Sequence, residues 1–179
     1  LLHGKATART GRLRGRDLTD PRQPRFTLLL DDRAGSLPPA GFEEAVDVAA
    51  SLLVASALAG HHSRLVTSTG LDMPTAGGPP AARRLLDELC ELGQDGGSTG
   101  TVMPAVLSAS RGSGGGSLVV VSGGLAEPAA LALMRRRFGV IFLIALSETA
   151  RGQGVVAGAR VVAAATAVEA VRRWNEIAT

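Results

Sequence analysis

The stretch that decides the fold is Phe26-Thr27-Leu28-Leu29-Leu30-Asp31-Asp32, an apolar run that ends in two carboxylates. A short apolar run bounded by turn residues predicts a β-strand that is buried on both faces. In open α/β sheets, ligands bind outside the carboxyl ends of the parallel strands. We therefore expect a buried first strand, with a functional site at its end around Asp31 and Asp32.

The rest of the chain alternates between apolar runs and helical patterns. Further strands are expected over 63–68, 118–121, 140–146 and 161–163, and helices over 42–58, 81–92, 102–110, 127–138 and 167–177. The last helix has a capping box, since Glu169 follows Thr166 by three residues. The glycine- and proline-rich segment 70–80 is expected to be a loop. This alternation predicts an α/β fold with a doubly wound, mainly parallel sheet and helices on both faces.

Length and charge indicate two parts of unequal size. The 179 residues are 45% apolar, enough for one domain with a sizeable core, which we place at 26–179. Residues 1–25 form a basic N-terminal arm with seven Lys or Arg against two Asp, whereas the remainder is net negative. A basic segment of this kind is either solvated or faces an acidic partner.

Composition excludes several classes of function. Aromatic residues make up 3% of the chain, too few for the stacking platforms of single-stranded nucleic-acid binders, so no nucleic-acid partner is expected. The single cysteine, Cys90, cannot form an internal disulfide, which favours a reducing compartment, and its helical pattern predicts a core position. No apolar run is long enough to span a membrane.

No catalytic set is evident, and we expect neither an enzyme nor a cofactor. The chain lacks a G-x-S-x-G elbow and a G-x-x-x-x-G-K-[ST] loop, and its histidines lie far from the expected site. One alternative stays open. The glycine-rich segment Gly96–Thr101 precedes a predicted helix, and such a loop in a nucleotide- or phosphate-binding enzyme would hold an anion.

A divalent metal is the other candidate ligand of the strand end. In domains of the von Willebrand factor A type, the first strand ends in D-x-S-x-S, and a middle-loop Thr and a later Asp complete the site. Here Asp31 is present, but Arg33 and Gly35 replace the serines and Gly123 stands where the later Asp would fall. Thr99 is a candidate for the middle-loop Thr.

These replacements predict a degenerate metal site, with Asp31 and Asp32 as a hydrogen-bonding pair bridged to Arg33 or to the arm. The alternative is an adhesion-type domain that still binds Mg²⁺ through the two aspartates.

The arm and the first strand together resemble a known bacterial family, the domain of unknown function family fifty-eight. Its motif reads approximately I-H-W-x-[AS]-[ST]-A-R-x-x-x-L before a strand that ends in Asp. The matching segments are His3-Gly4-Lys5-Ala6-Thr7-Ala8-Arg9-Thr10-Gly11-Arg12-Leu13, Pro21-Arg22-Gln23-Pro24 and Leu28-Leu29-Leu30-Asp31. One departure is Gly4, at the position where the family usually has Trp.

The resemblance implies a von Willebrand factor A-like, Rossmann-like domain without enzymatic activity. It also implies a MoxR-type AAA+ ATPase as a protein partner and a longer, membrane-anchored parent protein with this fragment on the cytoplasmic side. We expect the fragment itself to be soluble and to make no direct membrane contact, and its composition suits an actinobacterium. The expected partner-binding residues are Asp31, Asp32, Thr99 and Ser122 at the end of the sheet, with Arg9 and Arg12 from the arm.

Overall fold

The computed structural model describes residues 26–94, 100–109, 116–124, 126–152 and 154–178. The strands are β1 (Phe26–Leu30), β2 (Ser63–Thr67), β3 (Asp72–Thr75), β4 (Ser117–Ser122), β5 (Val140–Ala145), β6 (Val155–Val156) and β7 (Ala159–Ala163). The helices are α1 (Pro39–Leu58), α2 (Pro79–Glu91), α3 (Ala105–Ala109), α4 (Pro128–Met134) and α5 (Ala167–Ile177), with a single 3₁₀ turn at Glu148–Ala150.

The strands form one sheet in the order β3-β2-β1-β4-β5-β7-β6. The five strands from β2 to β7 in this order are all parallel, and β3 and β6 are antiparallel strands at the two edges. Every residue of β1 is buried, because neighbours cover it on both sides and helices cover both faces. The predicted doubly wound α/β fold is confirmed.

Two apolar cores lie on opposite faces of the sheet. Helices α1, α2 and α5 cover the face presented by Leu28, Leu30 and their neighbours. Helices α3 and α4 cover the other face, which Leu29 presents. This alternation is the period of two that a strand imposes on its side chains, and it explains why the central strands are apolar throughout.

The two edge strands differ from the sequence-based expectation. The segment 70–80 was expected to be a loop, but it contains β3, whose Asp72 and Pro74 are exposed. The predicted last strand, β7, is longer than expected, and it forms an antiparallel hairpin with β6. The core position predicted for Cys90 is wrong, since this thiol is exposed on α2.

Within the described part of the chain, no helix combines the length and the hydropathy that crossing a bilayer requires.

Candidate functional site at the carboxyl edge of the sheet

The topology places a crevice between β1 and β4. From β1 the chain passes through α1 to β2 on one side of β1, while β4 lies on the other side. A reversal of strand order of this kind is the switch point at which open α/β sheets bind ligands, outside the carboxyl ends of the strands. Asp31 follows β1 directly, and Ser122 ends β4, so both flank the switch point.

Asp31 is fully buried at this crevice and its carboxylate is fully engaged. Arg33 donates from Nε to Oδ1 at 2.8 Å and from Nη2 to Oδ2 at 2.9 Å, a bidentate ion pair. Ser122 donates its hydroxyl to Oδ2 at 2.8 Å. The backbone N–H of Asp31 donates to the Val121 carbonyl at 2.9 Å, continuing the β1–β4 pairing by one residue.

The guanidinium of Arg33 also ties a second loop to the site. Its Nη1 donates to the Gly100 carbonyl at 2.6 Å, and 23% of the Arg33 side chain is exposed. Gln94 contacts the turn after β1, since its side-chain amide donates to the Leu37 carbonyl at 3.0 Å. Arg33 therefore connects the ends of β1 and β4 to the segment that follows α2.

The two partners stabilise each other's charged forms. Burial raises the pKa of Asp31, but the hydrogen bonds from Arg33 and Ser122 and the charge of Arg33 outweigh it and hold the pKa below its usual value. The hydrogen bond to Asp31 raises the pKa of Arg33. Asp31 is thus a carboxylate with a permanent countercharge, which is unlike the raised pKa of a general acid.

The Asp32 side chain contacts the end of β2, which is the other neighbour of β1 in the sheet. Its carboxylate accepts hydrogen bonds from the Thr69 backbone N–H at 2.9 Å and from the Thr69 hydroxyl at 2.5 Å. Asp32 is 2% exposed, so these contacts compensate its burial and link the ends of β1 and β2. Asp31 therefore connects β1 to β4, whereas Asp32 connects β1 to the end of β2, and the two carboxylates do not share one ligand.

The geometry does not fit a divalent metal. The oxygens of Asp31 are taken by Arg33 and Ser122, and a guanidinium stands beside the carboxylate that would bind the cation. At Gly123, a Cβ atom would lie 2.1 Å from the Ser36 carbonyl oxygen. The loop after β1 has closed onto this glycine, so an aspartate has no room there. Among the described residues, no group of three metal-binding side chains occurs.

The structure brings together only part of the predicted site. Asp31 and Ser122 are in direct contact, and the bridge from Asp31 to Arg33 is confirmed. Thr99, Arg9 and Arg12 lie outside the described residues, as do residues 96–98 of the glycine-rich loop.

Thr69 and Gln94 were not predicted from the sequence. Thr69 follows the carboxyl end of β2, and this position could have identified it as a candidate site residue from the sequence. Gln94 carries no such signal, because only the path of the chain after α2 brings it to the turn.

Neither known protein families nor curated proteins give a match to this chain. The resemblance described above therefore stays a prediction.

Proposed function

We propose that this chain is a non-enzymatic protein-interaction domain that docks its partner at the carboxyl edge of the sheet. The observation that supports this most strongly is the bidentate pair between Arg33 and Asp31. In a metal-dependent domain of this shape, a cation would hold the strand-end carboxylate and a ligand. Here the positive charge belongs to the chain itself, and it fixes the loops around the switch point without a metal.

The charge of this edge defines the chemistry of the partner. In the described residues, the loops after the parallel strands and the nearby halves of the helices carry nine carboxylates that are at least partly exposed, against four arginines. The carboxylates belong to Glu43, Glu44, Asp47, Asp87, Glu88, Glu91, Glu127, Glu148 and Glu169, and the arginines are Arg33, Arg151, Arg172 and Arg173. A complementary partner presents lysines or arginines.

The family resemblance supplies the candidate partner, a MoxR-type AAA+ ATPase. An ATPase of this kind would do the chemical work, and the domain would supply recognition. The buried carboxylates of Asp31 and Asp32 hold the surrounding loops in place, so the shape of this surface is set before the partner binds, which suits a recognition role.

The Mg²⁺-dependent alternative is disfavoured by the contacts of Asp31 and by the close approach at Gly123. A ligand that binds only the folded state raises the melting temperature. We expect millimolar MgCl₂ to leave the melting temperature of the chain unchanged relative to EDTA. The same assay with nucleotides tests the alternative that assigns anion binding to Gly96–Thr101, and we expect no shift there either.

A surface substitution tests the proposed docking edge. Ala34 is exposed on the turn after Arg33, so Ala34→Lys adds bulk and positive charge without disturbing the core. The matched control is Ala132→Lys, on the exposed face of α4. We expect binding to the purified ATPase, measured by calorimetry, to weaken at least about tenfold in Ala34→Lys only. Equal affinities for both variants and the unchanged chain would remove the carboxyl edge as the docking surface.

A further inference from the structure

The opposite edge of the sheet, which we call the base, is strongly basic. The amino ends of the parallel strands meet there, together with the turns that precede them. In the described residues, the nearby basic side chains are Arg64, Arg83, Arg84, Arg135, Arg136, Arg137 and Arg160; Arg64 is paired with Asp72, and the other nearby carboxylate is Glu176. The charges of the domain are thus divided between its two edges.

Helix dipoles do not account for this division. Basic residues at the end of α4 suit its dipole, but α2 carries Arg83 and Arg84 in its first half and Glu88 and Glu91 towards its end. That order opposes the dipole of α2, although it agrees with the division between base and carboxyl edge. In α2, the position of a charge in the whole molecule therefore predicts its sign better than its position in the helix.

The arginines after α4 are free to bind an anion. Within the described part of the chain, Arg135, Arg136 and Arg137 form no ion pair with any carboxylate. The Nη1 atom of Arg137 is buried and has no hydrogen-bond acceptor. A buried charged donor without an acceptor carries an uncompensated desolvation cost.

Exposed aliphatic side chains cluster at the same edge. Of seven large hydrophobic residues that are exposed in the described chain, five lie at or near the base. These are Leu58, Leu133, Val140, Val155 and Ile177, with exposed fractions from 37% to 66%. Arginines beside exposed aliphatic groups are typical of surfaces that rest on the headgroup region of a membrane. Nucleic-acid binding would use the arginines but not the aliphatic groups.

The basic arm joins the domain at the base. β1 begins at Phe26, whose backbone N–H donates to the His62 carbonyl at this edge, so residues 1–25 connect here.

We propose that the base is a peripheral docking surface for an anionic lipid bilayer. Headgroup phosphates would accept hydrogen bonds from the arginines after α4, and Leu133 and Val140 would enter the headgroup region. Docking of this kind needs no membrane-spanning segment, and it is an alternative to the expectation of no direct membrane contact. It also goes beyond the proposed interaction function, because it leaves the carboxyl edge facing away from the membrane and open to a protein partner.

Vesicle co-sedimentation of the whole chain tests this inference. The probes are vesicles of phosphatidylcholine alone and vesicles that also contain phosphatidylglycerol. We expect binding to the second kind only, and Arg135→Gln/Arg136→Gln to weaken it about twenty-fivefold, roughly fivefold for each arginine. The matched control is Arg151→Gln/Arg172→Gln, which removes the same charge from exposed residues away from the base and is expected to bind within about twofold of the unchanged chain.

Further arms of the experiment separate the lipid surface from other anions. Leu133→Gln is expected to weaken vesicle binding at a salt concentration that screens the arginines, because its contribution is apolar. Inorganic phosphate at matched ionic strength is expected not to compete. Overturning results are absence of binding to anionic vesicles, equal loss in both arginine variants, or displacement by phosphate, which would indicate a site for the free anion. Binding to duplex DNA at the same salt, without binding to vesicles, would also overturn it.

Discussion

At the scale of single residues, the pairing of Arg33 with Asp31 dominates the site. The two residues are separated by one position in the turn after β1, so the chain supplies the countercharge locally. A carboxylate with no exposed surface is stable in its charged form only when it is paired and hydrogen-bonded. Arg33 and Ser122 provide both, and Arg33 extends the contact to Gly100.

Removal of the guanidinium is expected to be costly. Arg33→Met leaves the buried Asp31 without its countercharge, and we expect the free energy of unfolding to fall by about 3 kcal/mol. The control is Arg64→Met, because Arg64 pairs with Asp72, whose side chain is 30% exposed and can be rehydrated. A loss below about 1 kcal/mol is expected there. Urea unfolding followed by Trp174 fluorescence measures both, and equal losses would show that the buried pair has no special role.

The same pair predicts a dependence of stability on pH. The pKa of Asp31 is lowered in the folded state, so its contribution is present above the unfolded value of about 3.9 and is lost as the pH falls below it. We expect the free energy of unfolding to fall less steeply with decreasing pH in Asp31→Asn than in the unchanged chain. Parallel profiles from pH about 5 downward would contradict this assignment.

At the scale of elements, α5 shows how local signals fix a helix start. The Thr166 hydroxyl accepts from the Glu169 backbone N–H at 3.3 Å, and the Glu169 carboxylate accepts from the Ala165 N–H at 2.9 Å. The capping box predicted from the sequence is therefore confirmed, with the return bond made one residue earlier than in the usual form.

Loss of this cap has a defined cost. Thr166→Ala removes the side-chain acceptor of the first turn, and we expect unfolding to become easier by about 1 kcal/mol. Thr166→Ser retains the hydroxyl and is expected to stay within a few tenths of the original value. Thermal and urea unfolding of the two variants measure these differences in the free energy of unfolding. A serine variant as unstable as the alanine variant would show that the hydroxyl bond is not the cause.

The same scale shows what the sequence could predict. The five parallel strands were predictable because each contains a short apolar segment between turn residues, although β2 and β7 also contain an arginine. Strand β3 was not, since Asp-Met-Pro-Thr has neither an apolar run nor alternation, and Pro74 is acceptable only because the strand lies at the edge. The two-residue strand β6 depends on pairing with β7, which no local pattern indicates.

At the scale of the whole molecule, the parallel sheet separates two surfaces. Its carboxyl edge carries paired carboxylates at a switch point, and its base carries exposed aliphatic groups and the arginines after α4, which form no ion pair among the described residues. Asp31 and Ser122 could be placed at the first surface from sequence, because each follows a buried strand. The contact of Thr69 with Asp32 and the closure of the loop onto Gly123 could not, because they depend on how separate loops meet.

We propose that Arg33 takes the place of a metal at the carboxyl edge. Titration of the ¹⁵N-labelled chain with Mn²⁺ tests it most directly, because a bound paramagnetic ion broadens the amide signals close to it. We expect no selective broadening of Asp31, Arg33 or Ser122 at millimolar Mn²⁺, with Arg33→Met as the comparison that removes the competing charge. Selective, saturable broadening of these three signals in the unchanged chain would contradict the account.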